Sequence, residues 1–123
     1  MFLLFAGRHF IARIQGQPLN TGLFIDSTYD IGRVENVHWN PWFCTRIPFM
    51  RWQLTFGRAF VVARSDWEYF YNTFAFGYSI GYHFIQSPDG ACNGNFLGIG
   101  VVHGLIYAAA RRFLSLLPFS IRS

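Results

Sequence analysis

Lysine is missing from this chain, and carboxylates are scarce: all ten basic residues are arginine, set against six Asp and Glu. Charged residues make up 13% of the 123, against about 25% in ordinary soluble domains. So thin a polar complement excludes a surface left wholly to water. Much of it must be covered by a partner or lie in a bilayer. The arginines also form no run, Arg111-Arg112 being the single adjacent pair. That argues for a solvated basic surface rather than a dedicated nucleic-acid stripe.

Cysteine is nearly absent as well. Cys44 and Cys92 allow one disulfide at most and exclude a disulfide framework. Residues 1–7 carry no basic stretch and too short an apolar run for an export signal. The expectation is therefore a cytoplasmic protein with reduced thiols. His38, Cys44, His83 and Cys92 lack the tight local spacing that zinc requires, so no metal is expected. Neither Gly-x-Ser-x-Gly nor a phosphate-binding loop occurs, and no catalytic residue or cofactor is nominated. The expected protein is not an enzyme.

What is abundant is apolar. Hydrophobic residues reach 52% and aromatics 20%, with a net charge of +4 and a pI near 9.5. The clearest pattern covers residues 74–84, where Phe74, Phe76, Tyr78, Ile80, Tyr82 and Phe84 alternate with small or polar residues. At 180° per residue those six line one face, which reads as a strand with an aromatic side packed on the core. Gly77 and Gly81 on the other side admit a close neighbour. A second alternation, at Trp52, Leu54 and Phe56, precedes Gly57-Arg58. It suggests a hairpin pairing residues 51–56 with 59–64.

Other segments fill in the picture. Residues 2–14 read as two short strands around Gly7-Arg8-His9, with Phe10, Ala12 and Ile14 on one side, and residues 23–25 as another strand. Ser65 and Glu68 form a capping-box pattern that starts a short helix over residues 66–72. Ser87-Pro-Asp-Gly90 and Asn93-Gly94 mark turns, and residues 97–101 a brief strand. From Val102 the period turns helical, through Leu105, Ile106, Ala109, Phe113 and Leu116, until Pro118 stops it. Four residues repeat faintly, Gly7-Arg8-His9-Phe10 against Gly57-Arg58-Ala59-Phe60, too few to establish a repeat.

Together these readings predict one α+β domain over residues 1–123: an antiparallel sheet, a short capped helix and a C-terminal amphipathic helix. The function they favour is non-enzymatic protein binding or self-association, as in a phage- or mobile-element-encoded inhibitor or a small subunit of a larger assembly. Trp39, Trp42 and Arg46, in a proline-punctuated loop, are the candidate partner-binding residues, with Arg111 and Arg112 on the final helix. The main alternative is a two-span membrane hairpin over residues 67–85 and 96–110 with both ends cytoplasmic, flanked by Arg58, Arg64, Arg111 and Arg112. Period two at 74–84 and the shortness of the second run count against it. A further alternative sets Arg46, Phe49, Arg51, Trp52, Phe56 and Arg58 as a stacking surface for single-stranded nucleic acid.

Overall fold

The computed structural model describes residues 1–108, and nine strands and one helix fall within them. β1 (Phe2–Leu4), β3 (Thr21–Asp26), β5 (Arg58–Val62), β7 (Ile80–Phe84) and β9 (Leu105–Ala108) form one sheet in that order. β2 (Phe10–Gly16), β4 (Gly32–Trp39), β6 (Ser65–Phe76) and β8 (Cys92–Val102) form the other. Every pairing between named strands is parallel. The chain alternates between sheets strand by strand, so it winds as a β-solenoid-like stack of coils. A coil takes 22 residues from Phe60 to its ladder partner Tyr82. One coil is longer because the loop after β4 carries α1 (Ile47–Phe56).

The core lies between the sheets, in columns of stacked side chains. Leu23, Phe60 and Tyr82 make one column and Ile25, Val62 and Phe84 the next. From the facing sheet come Ile11, Val34, Phe70 and Phe96. The Phe60 and Tyr82 rings stack at 4.8 Å, and Phe84 meets Phe96 edge-on at 4.9 Å across the core. Buried Thr73 satisfies the Tyr82 hydroxyl at 2.7 Å, as a polar atom in such a core requires.

The long strands of the second sheet share an internal corner. Arg13, Asn36, Asn72 and Gly98 all have positive φ, at 58°, 52°, 49° and 62°. The strand registers stack these four residues on one another. Each left-handed residue breaks the alternation, so two successive residues point outward between two that point in, as with Glu35 and Asn36 between Val34 and Val37. Asparagine and glycine tolerate this conformation best. The Asn72 side-chain amide also donates to Asn36 Oδ1 at 2.6 Å, tying neighbouring coils together.

This architecture replaces the expected antiparallel α+β sheet. Alternation reports which side chains share a face but not which strand lies alongside, and short turns between strands suggest hairpins by default. Within residues 74–84 the chain leaves one sheet at Phe76, turns at Gly77 (φ 74°) and joins the other at Ile80. Ala75 points inward while Phe74 and Phe76 stay half-buried outside; Tyr78, Tyr82 and Phe84 put their rings in the core. The expected hairpin at 51–64 is α1 followed by β5, Pro48 standing in the helix's first turn where a missing N–H costs nothing. The expected helix at 66–72 is the middle of β6. There Ser65 Oγ donates to Glu68 Oε2 at 2.8 Å, side chain to side chain, within a bulged strand. At the N-terminus, Ile11 and Ile14 face inward and Phe10 outward, because Arg13 breaks the alternation. The C-terminal helix expected from Val102 is contradicted at its start, where residues up to Ala108 belong to β8 and β9. Its remainder, with Arg111, Arg112, Phe113 and Pro118, lies outside the described residues. The echo between Gly7-Arg8 and Gly57-Arg58 falls in different sheets and is not a coil repeat.

Candidate functional site

Two places concentrate polar or exposed chemistry. The first is inside the stack, where His9, Gly32, Glu68 and Gly94 occupy one inner ladder position in successive coils. His9 reaches across Gly32 to Glu68, with Nε2 2.8 Å from Oε1, and Glu68 is fully buried. Ser65 supplies the second hydrogen bond to that carboxylate. Burial, reinforced by the Glu68 carboxylate, pushes the Cys92 thiol far above its usual range. A carboxylate and an imidazole in contact resemble a catalytic pair, but His9 Nδ1 is buried without a partner. The His9 side chain is 6% exposed and that of Glu68 fully buried. The cluster holds coils together.

The second place is the insertion between β4 and β5, residues 40–57. Its helix is anchored by a polar residue: Gln53 is the one fully buried residue of α1. The Gln53 side-chain amide donates to the carbonyls of Phe76 and Gly77 at 3.3 and 3.1 Å. Its carbonyl accepts from Gln17 Nε2 at 3.1 Å, and the main-chain carbonyl accepts from Ser79 at 3.2 Å. Gln17 in turn clasps both main-chain groups of Cys44. With a polar residue turned inward, the apolar ones are turned out. Ile47, Phe49, Trp52, Leu54 and Phe56 are all exposed, as are Trp42 and Phe43 just before the helix. At 100° per residue, Phe49, Trp52 and Phe56 fall on one flank of the helix, and the Trp52 and Phe56 rings touch at 4.6 Å.

Charge follows the same division. Between Glu35 and Asp66 there is no carboxylate, whereas Arg46, Arg51, Arg58 and Arg64 are present. Arg46 and Arg51 are exposed among the aromatics of the insertion. Of the residues nominated from sequence, Trp42 is 70% exposed and Arg46 stands at the N-cap of α1, so these two share a surface. Trp39 does not join them. It is 6% exposed, facing inward between the small ladder neighbours Gly16 and Ala75. Arg111 and Arg112 lie outside the described residues. As binding residues, Phe49, Trp52 and Phe56 figure in the sequence only within the nucleic-acid alternative, Trp52 and Phe56 otherwise as part of the expected hairpin. Their i, i+3, i+7 spacing behind Pro48 is the signal that marks them as a helix stripe.

The remaining candidates disperse. His38, Cys44, His83 and Cys92 sit on different elements, both cysteines are free thiols, and among the described residues no cluster of metal-ligating side chains forms. No helix among them is long and apolar enough to cross a membrane; residues 67–85 are two strands and a turn. Comparison with protein-family models, with curated proteins and with solved structures finds no match in any of the three.

Proposed function

We propose that this chain is a non-enzymatic protein-binding module, docking through the insertion that its coils display. The observation that carries the reading is the polarity of α1, which buries glutamine and exposes Ile47, Phe49, Trp52, Leu54 and Phe56. A helix left in water normally turns its apolar stripe to the core. An i, i+3, i+7 aromatic stripe is the form in which helices enter hydrophobic grooves. Tryptophan and arginine are also the residues that dominate binding hot spots. Arg46 and Arg51, without a neighbouring carboxylate, favour a groove with an acidic rim. A protein partner, a second copy included, meets that description. An inhibitor or a small subunit of a cytoplasmic assembly would work in this way.

Site-specific photo-crosslinking tests the reading. A benzoylphenylalanine at position 52 should yield protein adducts in cells, whereas one at Tyr71, equally exposed on β6, should yield few. Adducts of equal yield at both positions, or none at 52, would count against docking through the insertion.

A further inference from the structure

We propose that the cleft between α1 and the coil corner beneath it binds a small, uncharged two-ring aromatic molecule with one hydrogen-bond donor, of the indole type. The cleft, half open to solvent, offers ≈ 310 Å³ between Met50 and Leu54 of α1, Pro41, and Phe76, Gly77 and His103 of the coils. An apolar cavity of about 150 Å³ accepts a single benzene ring, so this volume suits two fused rings. The carbonyls of Phe76 and Gly77 would otherwise make the floor polar. Gln53 already donates to both, and what remains facing the cleft is carbon. No charged side chain lines it, so an ionic ligand would lose its hydration with nothing in exchange.

One polar group borders this apolar space. His103 stands edge-on to Phe76 at 5.6 Å, and among the described residues neither of its ring nitrogens has a hydrogen-bond partner. A neutral imidazole offers one acceptor nitrogen, which fits a ligand with a single N–H or O–H. Met50 adds an unbranched, polarisable wall that adapts to a ring. Met50 and Leu54 lie on the flank of α1 away from Phe49, Trp52 and Phe56, so this site stands independently of the docking stripe.

Indole and indene, matched in size and differing in the N–H, are the probes. Each would be titrated into the full chain carrying methyl-labelled methionine. Met50 then reports the cleft while Met1, the only other methionine, reports non-specific contact. We expect a saturable shift at Met50 alone, with indole bound about fivefold more tightly than indene, the effect of one ordinary hydrogen bond. H103F should bring the two ligands to equal affinity, and L54W, which fills the cleft, should abolish the shift. No saturable shift with either probe, matching shifts at Met1, or a shift that survives L54W would overturn the site. Equal affinity of the two probes in the unmodified chain would overturn the ligand class.

Discussion

At the inner ladder position shared by His9, Gly32, Glu68 and Gly94, two ionisable side chains from non-adjacent coils meet because the residue between them has no side chain. A Cβ built on Gly32 would lie 2.6 Å from Glu68 Oε2 and in collision with the His9 ring. Overpacking of this kind costs about 1–3 kcal/mol, and here it would also part a buried pair. Gly32→Ala should therefore lower the urea midpoint clearly, whereas an alanine at Gly16, where the nearest atom to the added Cβ is Trp39 Cζ3 at 3.2 Å, should cost less. Burial acts on other single residues too. Desolvation pushes the Tyr78 and Tyr82 hydroxyls and the Cys92 thiol well above their ordinary values of 10.0, 10.0 and 9.0. Each stays neutral in the fold while its unfolded counterpart ionises, so the unfolded chain holds fewer protons above those values. Stability from these groups is complete below about pH 9 and falls as pH rises beyond it. Melting curves from pH 7 to 11 should show that decline. A thiol reagent at pH 8 should label half-buried Cys44 quickly and Cys92 only on unfolding.

Much of what forms the elements is visible in the sequence once the coil is known. The strands at 2–4, 10–16, 21–26, 80–84 and 92–102 all coincide with alternating or apolar segments, and turns do occur at Ser87–Gly90. What alternation could not convey was the partner of each strand. The pattern that does convey it is Val34-Glu-Asn-Val37, Phe70-Tyr-Asn-Thr73 and Phe96-Leu-Gly-Ile99: inward, out, left-handed out, inward. The pattern is short, its identities vary, and the α1 insertion breaks its spacing, so it is hidden from a search for exact repeats. Asn72 is the testable member of this corner. Asn72→Ala loses the hydrogen bond to Asn36 and places alanine at φ 49°. A left-handed conformation costs such a residue about 1–2 kcal/mol. Asn72→Gly keeps the backbone free and should be the milder change, the ranking to be read from denaturant midpoints. Helix α1 went unread for a different reason: Trp52, Leu54 and Phe56 alternate as well as they spiral, and only Pro48 at its start tells the two apart.

For the whole molecule, the candidate site was half legible. Trp42 and Arg46 belong to the exposed insertion, but Trp39, three residues before Trp42, is committed to the core by its inward position on β4. No composition argument could separate them, since the strand ends between the two. The assembled picture is a parallel stack built on aromatic columns and an insertion, anchored by Gln53, that turns its own aromatics outward. Coils without the insertion close the same corner with two to four residues: 17–20 between β2 and β3, 77–79 between β6 and β7, and 103–104 between β8 and β9. That contrast gives the most direct measurement: sedimentation velocity of the chain with residues 40–57 replaced by a three-residue turn, beside the intact chain. The account predicts that the intact chain sediments as an oligomer or with a bound partner protein. The shortened chain should keep a β-rich circular dichroism spectrum and sediment as a monomer. Association of unchanged stoichiometry in the shortened, folded chain would contradict it.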